Sequence, residues 1–225
     1  MNNSIATRRE EEKELRRRAI LDAARRTVGL HGVEGATMGR IAKEARLSRA
    51  LLYFYFRDQD DLWWALCAEG LTRLHGFFRE AVARADSGLD ALERIGWAYV
   101  RLSREHPVEW ELLAHKEVQE VTPDSDDDPT SDEHDRRDHR AMCRQIGGGI
   151  HELMAGQVER GVEDGSVRGD VGDPLTTALV LWGSTHGLIQ IARMKELLLE
   201  EGHGIGVEAY LEHGMRMLDR SMAAT

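Results

Sequence analysis

The residues best equipped for chemistry lie between Thr37 and Leu62, in the stretch TMGRIAKEARLSRALLYFYFRDQDDL. Ser48 and Arg49 stand where a short helix would begin, and the free N–H groups and positive dipole end of a helix attract anions. An Arg placed there forks onto phosphate oxygens or onto the O6/N7 edge of guanine. Tyr53 follows Arg49 by four residues and so shares its helical face. Its hydroxyl donates to phosphate oxygens, which sets position without reading sequence. This is the chemistry of gripping a duplex, not of breaking bonds. No GxSxG, HExxH, P-loop or dinucleotide fingerprint occurs, and Gly147-Gly148-Gly149 follows no strand. The run Asp124–Asp128 opens like a calcium loop, but Pro129 stands where such a loop needs Gly and Asp135 where it needs Glu. His134 and His139 have no paired ligands nearby in the chain. No metal and no cofactor are therefore expected.

Helical periodicity predicts the elements that hold these side chains. A first helix spans about 10–31, with Leu15, Ala19, Ala23 and Thr27 on one face, and Gly32 ends it. Thr37 is placed to N-cap a second helix whose Met38, Ile41, Ala42 and Ala45 form one apolar face. Arg46-Leu47-Ser48 interrupts it, Ser48 caps a third helix over 49–56, and Asp58 starts a fourth. Ile41, Ala42, Ala45, Leu47, Leu52 and Phe56 are the inward set of this helix-turn-helix, leaving Arg49, Ala50, Leu51 and Tyr53 outward. Further helices are expected at about 89–105, 107–120, 139–163, 174–200 and 205–222, with the acidic stretch 122–138 as a loop. The expected fold is all-α: a three-helix DNA-binding domain over 1–57 and a larger helical bundle over 58–225, about nine helices in total.

Charge separates the same two parts. Of 225 residues with net charge −10, residues 1–57 carry 13 Lys+Arg against 7 Asp+Glu, and residues 58–225 carry 17 against 33. A basic end on an acidic body suits a nucleic-acid reader with a second domain that does not bind. Cys67 and Cys143 are far apart and read as packing residues of a reducing compartment. The charged first thirty residues contain no secretory signal pattern. The uncharged stretch 174–192 holds too many Thr, Ser, His and Gln residues for a membrane span. The chain is expected to be cytoplasmic.

The segment over about residues 11–65 resembles the N-terminal domain of the TetR family of bacterial transcriptional regulators. The likeness rests on the Thr37 cap, Ile41-Ala42 inside, Leu52-Tyr53, the aromatic run closing at Phe56, and an acidic helix start leading to Leu62. Asp173-Pro174, Trp182-Gly183 and His186-Gly187 look like a Trp/His/Gly subgroup of these regulators. The resemblance implies DNA contacts from Thr37, Arg40, Ser48, Arg49, Ala50, Leu51, Tyr53, Tyr55, Arg57 and Gln59. It further implies a homodimer on a palindromic operator, with reading helices about 34–36 Å apart, and a repressor released by a small apolar effector. Two departures stand out: Arg46 replaces the usual turn Gly, and Gln59 stands where the family often has a phosphate-touching Lys.

The helix expected over 174–200 is apolar all round and so buried all round. Leu179, Trp182, His186 and Ile189 share one side. Val180, Gly183, Gly187 and Ile191 share another, which with Tyr210, Leu211, Gly214 and Leu218 of the last helix is the expected dimer interface. Trp97, Trp110, Cys143, Ile146, Trp182, His186 and Ile189, with Tyr99, are the candidates for an effector pocket. Two other classes stay open on the residues alone: an all-helical enzyme using His151, Glu152 or His186, and a scaffold that docks through its acidic run and keeps the helix-turn-helix only as structure.

Overall fold

The computed structural model describes residues 2–119, 138–196 and 198–224. The described residues form nine α-helices and one π-helical turn, with no strand. In chain order they are α1 (Asn2–Gly35), α2 (Met38–Glu44), α3 (Arg49–Tyr55), α4 (Gln59–Ala83), α5 (Gly88–Glu105), α6 (Pro107–Gln119), α7 (His139–Asp164), α8 (Pro174–Met194) and α9 (Val207–Met222), the π turn being Leu198–Gly202. The loop expected over 122–138 lies, save for Asp138, outside the described residues. No described helix is long and apolar enough to cross a membrane. The chain divides into two compact units, Met1–Gly70 with Pro107–Cys143, and Leu71–His106 with Arg144–Thr225.

In the first unit, α2 and α6 pack on α1. The α1 core is Ile20, Leu21, Ala23, Ala24, Thr27 and Val28, all buried, whereas Leu15 is 64% exposed and Ala19 is exposed too. Ala23 and Thr27 of the expected face are buried, but Leu15 and Ala19 are not: Ile20, Leu21 and Val28 take the core in their place and bury more apolar area. The buried Thr27 hydroxyl donates to the Ala23 carbonyl at 2.7 Å, which removes the cost of hiding it. The helix also begins earlier than expected, with an Arg8–Glu12 pair one turn apart on its added length. Gly32 at φ 70° breaks it as expected.

One guanidinium ties three helices of this unit together. Arg25 of α1 donates to Glu109 of α6 at 2.8 Å, to Glu69 of α4 and to Asp22 in its own helix. Glu109 is only 4% exposed. Burial disfavours the Arg25 charge, but the Glu69 and Glu109 carboxylates outweigh it and raise its pKa.

In the second unit, α5, α8 and α9 pack against one another. Leu92, Val158, Val167 and Met222 form a cluster, and the chain end is clamped beside it: Arg168 N–H donates to the Met222 carbonyl and Ala224 N–H to the Ser166 carbonyl. The helix expected to reach residue 200 stops at Met194, and the π turn that follows carries Leu199 into the core.

The start of α5 meets α7 backbone to backbone. Ser87 caps α5, the Gly88 N–H donates to Asp164 at 2.8 Å, and a Cβ on Gly88 would collide with the backbone of Gly161 and Gln157. Backbone does not yield as a side-chain tip does. Gly88→Ala is therefore expected to cost about 1–3 kcal/mol, read as a lower urea midpoint with unchanged helical content.

Candidate nucleic-acid interface

The angle between α2 and α3 is set by caps and a tight turn. The Thr37 hydroxyl accepts from the Arg40 N–H at 3.4 Å, and the Ser48 hydroxyl accepts from the Leu51 N–H at 3.1 Å. Between them Arg46 adopts φ 57°, alone among described non-glycine residues in the left-handed region. Its N–H donates to the Lys43 carbonyl at 3.1 Å, and the Leu47 N–H to the Ala42 carbonyl at 2.9 Å. This is the double bond of a Schellman closure, normally built on Gly. The departure at Arg46 thus leaves the turn geometry intact and places the strain in one residue.

Ile41, Ala42, Leu52 and Phe56 are buried, so α3 is held by one side. Thr37, Arg40, Ser48, Arg49, Ala50, Tyr53 and Arg57 are exposed, while Leu51, Tyr55 and Gln59 are half-buried. The Arg49 side chain lies against Gly39 of α2, where any side chain would collide with it. Arg57 already spends its groups on the Asp58 carboxylate at 3.3 Å and, through its N–H, on Asp61. Phe54 is 66% exposed, edge-on to Tyr55, and is absent from the expected set. Its position four residues after Ala50 was the available signal.

The far end of α3 is anchored through the tertiary structure. Over the buried Phe56 ring lie the Arg17 guanidinium, 5.4 Å from the centroid, and the His139 ring, at 6.2 Å. His139 Nε2 faces Arg17 Nη2 at 2.6 Å, and Nδ1 faces Asp61 Oδ1 at 2.7 Å. An Arg only donates, so Nε2 accepts and the proton sits on Nδ1, donated to Asp61. Burial pushes the Asp61 carboxyl up, but the His139 and Arg57 hydrogen bonds pull it below its ordinary value. His139 therefore joins α1 and α4 through both ring nitrogens and packs over Phe56 at the end of α3; among the described residues no group of three His, Cys, Asp or Glu could hold a metal.

The second unit holds a narrow cavity of about 30 Å³ between α4, α5, α7, α8 and α9. Trp182 stacks on Tyr99 with centroids 4.4 Å apart, and both line it. His186 supports that wall from behind, its Nδ1 2.8 Å from the Tyr99 hydroxyl. Burial lowers the pKa values of His151 and His186, favouring the neutral rings. Of the expected effector residues, Tyr99 and Trp182 reach the lining. Ile189 is buried, and Trp97 and Ile146 are half-buried off the cavity. Trp110 and Cys143 belong to the first unit, where the Cys143 thiol donates to the Trp64 carbonyl at 3.4 Å. Asp219 shares the lining, and periodicity alone did not single it out. Burial and the like charge of Glu93 raise its pKa to about 6.

On the outer side of α8, Val180 and Ile191 are exposed, 61% and 41%, with Gly183 and Gly187 open to space between them. Tyr210 is half-buried. Leu211 is buried, Gly214 packs under Leu188, and Leu218 lines the cavity, so these three face inward.

Residues 20–66 match the family described as bacterial regulatory proteins, tetR family. Over 99 residues the chain is 35% identical to the HTH-type transcriptional repressor AcnR of Corynebacterium diphtheriae, covering 40% of this chain and 49% of that protein. The chain thus spans about half the length of the curated relatives it matches. A protein of unknown function from Rhodococcus sp. RHA1 superposes with TM-score 0.69 at 24% identity, covering 92% of this chain and 95% of that one. AibR, solved in complex with isovaleryl coenzyme A and operator DNA, superposes with TM-score 0.65 at 19% identity over 90% of this chain and 97% of its own. At those identities the likeness establishes the fold. Family likeness in sequence is confined to the N-terminal segment over residues 20–66, which carries α2 and α3.

Two stability effects follow. Arg46→Gly relieves the left-handed strain and loses part of that gain to the freer unfolded chain, for a net stabilisation of about 0.5–1 kcal/mol, read by chemical denaturation. For Asp219 the folded pKa is the higher one, so its full contribution to stability exists only below the unfolded value and is lost as pH rises through about 6. Asp219→Asn is expected to stabilise at pH 8 by about 1 kcal/mol after allowance for solvent screening. The gap should narrow below pH 6 and vanish below about pH 4.

Proposed function

We propose that the chain is a cytoplasmic transcriptional repressor that binds a palindromic DNA operator as a homodimer and leaves it when a small apolar effector binds. In this reading residues 1–57 read DNA, and residues 58–225 pair the subunits and hold the effector. The observation that carries the reading is the outward face of α3, where Arg49, Ala50 and Tyr53 are exposed while Leu52 and Phe56 anchor the opposite side. A helix fixed by one face presents the other to a major groove. In this reading Arg49 contacts guanine or phosphate, Tyr53 and Ser48 contact phosphate, Ala50 and Leu51 meet base methyl groups, and Thr37, Arg40, Tyr55, Arg57 and Gln59 touch the flanking backbone. Gln59 supplies a neutral contact in place of a charged one.

Pairing of subunits is proposed along the outer side of α8, with Val180, Gly183, Gly187 and Ile191 at its centre and Tyr210 at its margin. The exposed apolar side chains favour burial, and the two glycines leave room for a partner helix to come close. Leu211, Gly214 and Leu218 support the interface from within by fixing α9. The effector acts by binding one conformation of the second unit better than another. The shift in DNA affinity can be no larger than that difference. The AibR complex with isovaleryl coenzyme A and operator DNA supports the pairing of these two ligand types on this fold.

Duplexes selected from a random pool by repeated binding to the full chain supply the test. Affinity should fall steeply with salt. Arg49→Ala should weaken binding at least about tenfold, and removing a phosphate contact should lower the slope of log K against log salt by about 1. Wild-type affinity in Arg49→Ala, or selection that yields no enriched sequence, would overturn the reading. Separately, Val180→Glu with Ile191→Glu should sediment as a monomer and lose the palindromic site.

A further inference from the structure

The cavity wall is apolar apart from the Thr185 and Tyr99 hydroxyls and one carboxylate. Among the described residues Asp219 is the only lining side chain that carries a charge at neutral pH. It has no hydrogen-bond or ion-pair partner among the described residues. The charge nearest to it in effect is Glu93 on α5, of the same sign. A half-buried carboxylate with no counter-charge and a like neighbour costs stability. Such a group, set at the edge of a concave apolar site, marks a place where a ligand completes the electrostatics.

The rest of the wall is built to give way. Met154, Met215 and Met222 line the cavity, and an unbranched thioether side chain adapts its shape at little cost. Gly96 makes room for the Met215 methyl group, which a Cβ there would displace. At about 30 Å³ the space admits little more than a water molecule, so a ligand must move these side chains aside. Beside it lies an open groove of about 390 Å³ between α8, α9 and the segment holding Arg168, Asp170 and Val171, and it shares Leu181, Leu218 and Met222 with the cavity. Those three residues are the wall between groove and cavity and hence the route of entry.

We infer that the second unit takes an amphiphilic organic cation, its apolar body among Trp182, Tyr99 and the three methionines and its ammonium end paired with Asp219. The inference rests on the reading of this unit as an effector domain and adds the charge of the effector to it. An ammonium group restores to the carboxylate the counter-charge that the fold omits, and its neighbour Glu93 strengthens the attraction. An anionic amphiphile of the same length would meet the Asp219 carboxylate and no cation in the lining.

Three probes of equal chain length settle the point: octylammonium, octanol and octanoate. Each is titrated at pH 7.5, below its aggregation limit, into the full chain, and binding is read calorimetrically and by quenching of tryptophan fluorescence. Octylammonium should bind at least tenfold more tightly than octanol, and octanoate more weakly than either. Asp219→Asn should bring octylammonium to the octanol level and leave octanol unchanged, while Asp219→Glu should keep the preference. Equal or tighter binding of octanoate, no binding of any probe, or a preference that survives Asp219→Asn would overturn the inference; the wild-type comparison decides even if the Asn variant does not fold. DNA binding is measured on the same preparations. A preference for the cation without DNA binding would sink only the regulator reading, and DNA binding without the preference would sink only this one.

Discussion

Everything the first unit offers to a partner depends on the burial of Phe56. The α3 helix is seven residues long, too short to persist on its own in water. Its shape comes from what it is packed against. Leu52 and Phe56 enter the core one turn apart, and His139 and Arg17 close over the Phe56 ring. The imidazole is committed at both nitrogens, accepting from Arg17 and donating to Asp61. Because a buried ring with one nitrogen unsatisfied would be costly, the three groups hold one another in a single arrangement. The exposed Arg49–Tyr53 face is the reverse side of that arrangement.

Electrostatics in this unit work by saturation. Arg25 is shared among three carboxylates, Arg57 is drawn to Asp58 and Asp61, and Arg26 to Glu44. The positive balance of residues 1–57 is therefore not spread evenly over the surface. Cations already paired stabilise the fold, and among the described residues Arg49 on the outward face of α3 is spent on no carboxylate. The second unit shows the opposite. Among the described residues Asp219 is left without a partner beside a mostly apolar cavity, and its raised pKa accompanies that omission.

Local pattern made much of this legible. Thr37 and Ser48 cap the helices that periodicity placed after them, and Gly32 breaks α1. Caps depend on residues three or four apart, so a linear reading finds them. The turn at Arg46 shows that a backbone conformation can survive loss of its favoured residue when both closing hydrogen bonds remain. Where the linear reading went astray, the competing term was packing. Leu15 lies exposed because larger residues further along α1 claim the core, and α8 stops short because the chain turns to bury Leu199.

Sequence by itself decided the helices, their caps and the basic outward face near Ser48, since each arises from neighbours within one or two turns. Only tertiary structure decided that His139 seals Phe56 across 78 and 122 residues of separation from its bonding partners. It alone decided that Trp182 and Asp219 share a cavity while Trp110 and Cys143 belong to another unit. Such pairings depend on which distant helices come together, and no local periodicity encodes that.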